Sequence, residues 1–153
     1  MTLSAGAVAP DFTLPTDGGG SVTLSSLKGQ QVILYFYPKD DTTGCTAEAC
    51  SFRDAEASFR GAKTKVIGIS KDSVASHDKF KKKYELPFTL ASDKDGRTCE
   101  DYGTWAEKSM YGRTYFGIVR TTFLIGADGT IKQVWNKVKV TGHVAEVLKA
   151  AGE

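Results

Sequence analysis

Short apolar runs alternate along the chain with stretches whose apolar residues have helical spacing. The run QVILYFY (31–37) is continuous and rich in β-forming residues, which predicts a central strand buried on both faces. Pro38 ends this strand because proline cannot donate to a strand ladder. A helix capped by Thr42 or Thr43 and closed by Gly61 is predicted next. Its apolar stripe consists of Cys45, Ala49, Phe52 and Phe59.

The rest of the chain continues this alternation of strands and helices. TTFLI and IKQVW are joined by GADGT, which predicts a hairpin, and HVAEVLKAA predicts a closing amphipathic helix. The order predicts a mixed α/β sheet flanked by helices, with one core over residues 1–153 and no domain boundary. The other predicted elements are short strands at Phe12–Leu14 and Val22–Leu24 around the turn DGGGS, a strand at Lys65–Ser70, a helix at Ser73–Glu85, a strand at Pro87–Ser92 and a short helix near Thr98–Tyr102.

Composition narrows the class of protein without identifying it. A chain of 153 residues, 41% hydrophobic and 25% charged, is typical of one globular domain. A net charge of +2 is too weak to predict nucleic-acid binding. The longest apolar run is too short to span a membrane, and the first residues predict no signal peptide. Three cysteines in a chain of this length do not form a disulfide framework. We therefore expect the protein to be located in a reducing cytoplasm, where any disulfide would be transient.

Cys45 lies at the predicted start of the helix that follows the central strand. The first backbone N–H groups of a helix lack intrahelical partners and the macrodipole is positive there, so both favour a thiolate. Helix N-termini and cationic neighbours lower cysteine pKa values to about 3.5–7.5, from about 8.5 for a free thiol. The position therefore predicts a nucleophilic sulfur. The alternative is a small buried hydrophobe on the apolar stripe of the helix.

Cys50 follows five residues later on the same predicted helix. Ideal helical geometry places the Cα atoms of Cys45 and Cys50 about 8.5–9 Å apart, beyond the disulfide limit of roughly 7 Å. An intact helix therefore keeps the two thiols apart, and they can join only if the first turns unwind. The spacing fits neither a metal site nor a Cys-x-x-Cys reductase. A bystander thiol on the helix is the alternative for Cys50.

The segment PKDDTTGC has the form Pro-x-x-x-Thr-x-x-Cys, with Pro38, Thr42 and Cys45 at the named positions. This pattern resembles the peroxidatic motif of the peroxiredoxins. The resemblance to the peroxiredoxin Q subfamily, also called bacterioferritin comigratory protein, covers nearly the whole chain. It rests on the segments YFYPKD, GCTAEAC, VIGISKDS, EKSMYGRTYFGIVRTTFLI and VKVTGHVAEVLKA.

The resemblance implies a thioredoxin-like fold with an N-terminal β-hairpin extension, and an enzyme that reduces hydroperoxides without a cofactor or metal. It implies that Cys45 is the peroxidatic cysteine and that Cys50 resolves its sulfenic acid as an intramolecular disulfide. It implies recycling by thioredoxin or glutaredoxin, and a monomer with no nucleic-acid or membrane partner. Thr42 would contact the peroxide through its hydroxyl, and Pro38 would shield the thiolate.

The resemblance also assigns Arg120, in GIVRTTFLI, to the site. Its guanidinium cannot deprotonate, and its planar fork can favour the thiolate while orienting two oxygens. Glu48 would orient Arg120, whereas a solvated helix glutamate and a surface arginine are the alternatives. One departure is Thr43, where the subfamily usually has a proline that would fix φ at the helix start.

Other candidate residues are discounted. We expect Cys99 to be a passive thiol, although it stays open as an alternative disulfide partner. His77 and His143 are expected at surface or cap positions and not in a metal site. Trp105 and Trp135 are expected in core or rim packing. Two other functions stay open: a disulfide reductase on the same fold, which the lack of Cys-x-x-Cys disfavours, and a non-catalytic holdase or thiol–metal binding module.

Overall fold

The computed structural model describes residues 3–153, so Met1 and Thr2 of the predicted domain lie outside the described residues. The strands are β1 Thr13–Pro15, β2 Ser21–Thr23, β3 Gln31–Phe36, β4 Thr64–Ser70, β5 Thr89–Ser92, β6 Trp105–Met110, β7 Arg113–Ile118, β8 Thr121–Ile125 and β9 Ile131–Trp135. The α-helices are α1 Thr43–Gly61, α2 Val74–Tyr84, α3 Arg97–Asp101 and α4 His143–Ala151.

The central sheet has the strand order β5-β4-β3-β8-β9. Strands β3, β4 and β5 are parallel, whereas β8 pairs antiparallel with both β3 and β9. The predicted mixed α/β sheet is thereby confirmed. The N-terminal hairpin β1–β2 is also present, with β1 one residue later and β2 one residue earlier than predicted. Its turn contains a short 3₁₀ segment at Asp17–Gly19.

The central strand β3 is buried on both faces, as its uninterrupted apolar run predicts. Val32, Leu34 and Phe36 face a core that also receives the β1–β2 hairpin and α3. Ile33 and Tyr35 face the opposite core, which α1 and α4 cover. Because alternate side chains of a strand point to opposite faces, one apolar run supplies both cores. The carboxyl end of β3 is thus held rigidly where α1 begins.

A second hairpin, β6–β7, was not predicted. Its strands are mostly exposed, and their sequences WAEKSM and RTYFGI lack the clean apolar alternation that indicates a half-buried strand. The two-residue turn consists of Tyr111 and Gly112, both with positive φ (53° and 76°). That geometry suits the right-handed twist of a hairpin, but Tyr-Gly is a weaker sequence indicator of it than Asn-Gly or Asp-Gly.

Both histidines were expected at surface or cap positions, and neither lies at the surface, although His143 is the first residue of α4. His77 is 0% exposed and His143 is 4% exposed. The buried carboxylate of Asp40 is a partner for His77, and the Thr122 hydroxyl lies 2.8 Å from Nε2 of His143. A histidine can be buried when its ring nitrogens find such partners, which a sequence pattern does not reveal.

The two tryptophans pack as the sequence predicts. Trp105 and Trp135 are partly buried against the two cores, as expected. None of the helices described between residues 3 and 153 has both the length and the apolar character needed to cross a membrane.

Candidate active site at the start of α1

The loop between β3 and α1 carries the candidate motif. It leaves the sheet at the carboxyl end of β3, the edge where α/β folds place their ligand sites. Thr42 is the residue before the helix, with extended backbone (φ −95°, ψ 159°), and its carbonyl accepts from the Thr46 N–H at 2.8 Å. Cys45 therefore lies in the first turn of α1, as predicted, and is 1% exposed.

Arg120 reaches this turn from the residue before β8. Its Nη2 donates to the Cys45 sulfur at 3.3 Å, and its Nη1 donates to Glu48 Oε1 at 2.7 Å. The alternative of a surface arginine is therefore wrong, and so is that of a solvated Glu48, because the Glu48 side chain is fully buried. One planar fork thus holds the sulfur and the carboxylate in a fixed relation.

The charges of this cluster are strongly coupled. Burial raises the pKa of Glu48 to about 7, although the Arg120 charge and hydrogen bond partly offset the effect. Burial also opposes ionisation of Arg120, but Glu48 and the Cys45 sulfur outweigh it and raise the pKa of the guanidinium. A permanent positive charge therefore lies 3.3 Å from the Cys45 sulfur, within the first turn of α1.

Thr42 occupies the N-cap position, but its hydroxyl does not cap α1. The Thr42 Oγ1 donates to the Lys39 carbonyl oxygen at 2.9 Å, so the predicted side-chain cap is wrong for Thr42. The side chain is exposed at the entrance to the site. Because its proton is engaged with a carbonyl, the oxygen lone pairs stay available as acceptors.

Gly44 belongs to the site and was missed by the sequence reasoning. A Cβ at this residue would lie 3.2 Å from Nη2 of Arg120, which is tighter than ordinary van der Waals contact. The absence of a side chain therefore lets the guanidinium lie against the first turn of α1. A glycine directly before Cys45 is visible in the sequence. Its role in making room for the guanidinium depends on the position of Arg120, which the sequence does not give.

A groove of about 320 Å³ adjoins the loop on the side of the β6–β7 hairpin. Pro38 lines its wall together with Trp105, Lys108 and Phe116. Burial and the charge of Arg120 lower the pKa of Lys108, whose Nζ donates to the Ile118 carbonyl at 2.8 Å. The groove combines apolar surface with cations. Pro38 itself is exposed, so it forms the edge of the groove and not a buried floor.

The two other cysteines lie in different environments. Cys50 is half-buried on the same unbroken helix as Cys45, and all three cysteines are free thiols. Cys99 is fully buried in the opposite core, and burial together with Asp93 raises its thiol pKa far above the ordinary value. Burial and the raised pKa are consistent with a passive Cys99 thiol, which stays a prediction. Within residues 3–153, no cluster of three or more His, Cys, Asp or Glu side chains could hold a metal ion.

Comparison with known proteins identifies the family of this chain. The model of the AhpC/TSA family matches residues 5–134. The chain belongs to the AhpC/TSA family. A peroxiredoxin bcp of Coxiella burnetii is 59% identical over 148 residues, which cover 97% of this chain and 98% of that protein. Peroxiredoxin Bcp of Bacillus subtilis is 48% identical over 149 residues, which cover 97% of this chain and 95% of that protein.

Solved structures agree with the sequence comparison. Peroxiredoxin Q of Xanthomonas campestris superposes with a TM-score of 0.89 at 40% identity, covering 99% of this chain and 95% of that one. The predicted thioredoxin-like fold and the resemblance to peroxiredoxin Q are confirmed. As a peroxiredoxin of the AhpC/TSA family, the chain is a thiol-dependent peroxidase, and peroxide and a thiol reductant are its reactants.

Proposed function

We propose that Cys45 is the peroxidatic cysteine of this enzyme. The hydrogen bond of 3.3 Å between Nη2 of Arg120 and the Cys45 sulfur carries the proposal, because it places a permanent cation at a buried sulfur in a first helical turn. The thiolate attacks the terminal oxygen of a hydroperoxide, the O–O bond breaks, and the leaving oxygen takes a proton to become water or an alcohol. Sulfur is oxidised by two electrons to a sulfenic acid.

Arg120, Thr42 and Pro38 have distinct roles in this step. The Arg120 fork stabilises the thiolate and the negative charge that develops on the peroxide oxygens. The Thr42 hydroxyl accepts a hydrogen bond from the hydroperoxide, since its own proton is donated to the Lys39 carbonyl. Pro38 shields the entrance on the groove side. Glu48 positions Arg120 and touches no substrate.

We propose Cys50 as the resolving cysteine. Its thiol condenses with the Cys45 sulfenic acid, a disulfide forms and water leaves. Because α1 is continuous from Thr43 to Gly61, this step requires its first turns to unwind. A dithiol protein of the thioredoxin or glutaredoxin type then supplies two electrons and two protons.

The substrate class includes hydrogen peroxide and organic hydroperoxides. The bacterioferritin comigratory protein of Xanthomonas campestris, 40% identical to this chain, has alkyl peroxide reduction activity. Apolar lining of the groove beside Pro38 supports the same class here, because an alkyl tail can lie against Trp105 and Phe116. We further propose that residues 1–153 act as one domain, as a monomer, in a reducing cytoplasm; light scattering of the reduced protein tests the monomer.

A peroxide assay coupled to thioredoxin tests these roles. Cys45→Ser should abolish turnover, whereas Cys50→Ser should retain the first oxidation and lose the intramolecular disulfide. Cys99→Ser is the matched control and should retain both. Unchanged disulfide formation in Cys50→Ser, with loss in Cys99→Ser, would assign resolution to Cys99 instead. Disulfide reduction without peroxide consumption would support a reductase, and metal bound to the purified protein would support a binding module.

A further inference from the structure

A buried polar cluster lies beneath the loop that precedes Cys45, and the peroxidase chemistry above does not use it. Its centre is the carboxylate of Asp40, a residue only 7% exposed. Tyr37 donates to Oδ1 at 2.6 Å, and Ser76 donates to Oδ2 at 2.8 Å. Nδ1 of His77 lies 2.7 Å from the same Oδ2. The loop is therefore joined to α2 through two side chains of that helix, the partly buried Ser76 and the fully buried His77.

Both ring nitrogens of His77 have partners. Nε2 lies 3.0 Å from the carbonyl oxygen of Ala91, which can only accept, so this nitrogen carries a proton. Nδ1 lies 2.7 Å from Oδ2 of Asp40. The buried pair of Asp40 and His77 therefore joins the loop to α2. Removing either side chain leaves a buried polar group of the other without its hydrogen-bond partner.

A second contact joins the next residue of the loop to the same helix. Asp41 has a left-handed backbone (φ 59°), an unfavourable conformation for a residue other than glycine. Its carboxylate accepts from Lys83 Nζ at 2.8 Å and from Tyr84 Oη at 2.8 Å. These contacts lie in the last turn of α2, whereas His77 lies in its first half. Two adjacent acids thus attach the loop along the length of α2.

We propose that Asp40 and His77, supported by Asp41, are positioning residues that clamp the peroxidatic loop to α2 and bias α1 toward its wound state. The proposal rests on the roles proposed for Cys45 and Cys50. Neither Asp40 nor His77 touches the reacting atoms. They act by fixing the backbone that leads into the first turn of α1, and hence the sulfur relative to Arg120.

The clamp affects two reactions in opposite directions. The wound helix presents sulfur to peroxide, so a firm clamp favours formation of the sulfenic acid and of water or alcohol. The same wound state exposes the sulfenic acid to a second hydroperoxide, which transfers another oxygen to give the sulfinic acid and a second water or alcohol. Unwinding favours condensation with Cys50 instead. A loosened clamp should slow peroxide attack, accelerate disulfide formation and reduce sulfinic acid.

The test compares Asp40→Asn with His77→Asn by stopped-flow kinetics and mass spectrometry. Asp40→Asn removes the charge and should lower the second-order rate constant for peroxide about tenfold or more, as expected for a displaced reacting group. The fraction of sulfinic acid per turnover should fall, and the disulfide should form faster. His77→Asn can keep a donor toward Asp40 and should recover part of the peroxide rate.

Two controls separate positioning from general stability. Ile131→Val makes a small defect in the core that contains Val32 and Leu34, so it should lower the melting temperature. It should not slow peroxide attack while accelerating disulfide formation. Lys83→Met breaks the exposed contact to Asp41, whereas Lys81→Met breaks the contact of 2.6 Å between the same helix and Asp17. Lys83→Met should shift the rates about twofold in the same directions, consistent with an exposed ion pair, and Lys81→Met should not.

The outcomes are distinct. Slower peroxide attack together with faster disulfide formation, in Asp40→Asn or in Lys83→Met, supports the clamp. Equal rates in all variants, or a parallel fall of both rates as in a merely destabilised protein, would overturn it. If a buried variant fails to fold, the comparison of Lys83→Met with Lys81→Met decides the question. Turnover that survives Cys45→Ser would overturn the proposed site and the clamp with it, whereas loss of turnover in Cys45→Ser together with a parallel fall of both rates in the clamp variants would overturn the clamp alone.

Discussion

Replacing Glu48 by glutamine should show how much the buried ionised carboxylate lowers the free energy of unfolding. Glu48 is fully buried, and burial raises its pKa from 4.5 to about 7 despite the Arg120 guanidinium at 2.7 Å. A raised acid pKa means that the folded state binds the proton more tightly than the unfolded state. The contribution of Glu48 to stability is then greatest below pH 4.5 and falls as pH rises toward 7.

The magnitude follows from that shift. A change of about 2.5 pKa units corresponds to about 3 kcal/mol between the two protonation states. Glutamine has the shape of the protonated acid and keeps an oxygen that can accept from Arg120. The difference in unfolding free energy between Glu48→Gln and the parent should therefore grow by about 3 kcal/mol in favour of the variant from pH 4 to pH 8.5. The difference in unfolding free energy that remains at pH 4 reflects only the difference in shape between the two side chains.

The measurement is urea denaturation of both reduced proteins across this pH range. Glu146→Gln is the matched control, because Glu146 is an exposed helix glutamate, and its difference from the parent should stay nearly constant. A difference for Glu48→Gln that is flat with pH would refute the dominance of burial. A difference that grows in favour of the parent would show that the ion pair with Arg120 outweighs desolvation.

Three further substitutions probe the same neighbourhood. Gly44→Ala should displace the Arg120 guanidinium by a few tenths of an ångström and lower kcat/KM for peroxide about threefold to tenfold, whereas Gly61→Ala, where a Cβ meets nothing within 4 Å, should not. Arg120→Lys loses the fork and should lower kcat/KM about 100-fold, the scale of one lost transition-state donor; near-normal kinetics would contradict the contact with Cys45. Burial, with the charge of Arg120, lowers the pKa of His143 from 6.5 to about 4, so stability should fall as pH drops through that window, and His143→Gln should flatten the fall seen by thermal denaturation.

The sheet could be predicted from sequence because its strands have distinct local patterns. β3 and β4 are continuous apolar runs, and β8 and β9 flank a turn sequence, so each was placed within a residue or two. The hairpin β6–β7 carries no such pattern, since its strands are largely solvated on both faces. Its pairing depends on a turn of two left-handed residues, Tyr111 and Gly112, which composition indicates only weakly.

The candidate site also has one part that local sequence predicts and another that depends on contacts between distant residues. The location of Cys45 in a first helical turn follows from a strand, a proline, a loop and an apolar stripe that are all local. Its contact with Arg120 joins residues 75 positions apart, and only the antiparallel pairing of β8 with β3 brings them together. Without the family resemblance the sequence favoured a surface arginine. The burial of His77 depends on a carboxylate 37 positions away and had no local indicator.

The extent of unwinding in α1 follows from where the chain is held on each side of the cysteines. Upstream, the side chain of Asp40 is fixed to α2; downstream, Phe52 is fully buried and stacks on Tyr35 with ring centroids 4.6 Å apart. Burial of an aromatic side chain contributes roughly 2–3 kcal/mol, so unwinding past Phe52 is costly, whereas the turns before it contain small residues and begin beside an exposed loop. Oxidation of the two thiols to a disulfide should therefore abolish hydrogen-exchange protection of the amides at 46–50. Protection at 54–59 should be retained, and α4 His143–Ala151 is the internal control. Unchanged protection at 46–50 in the oxidised protein would contradict resolution by local unwinding, and loss extending through 54–59 would contradict the anchoring role of Phe52.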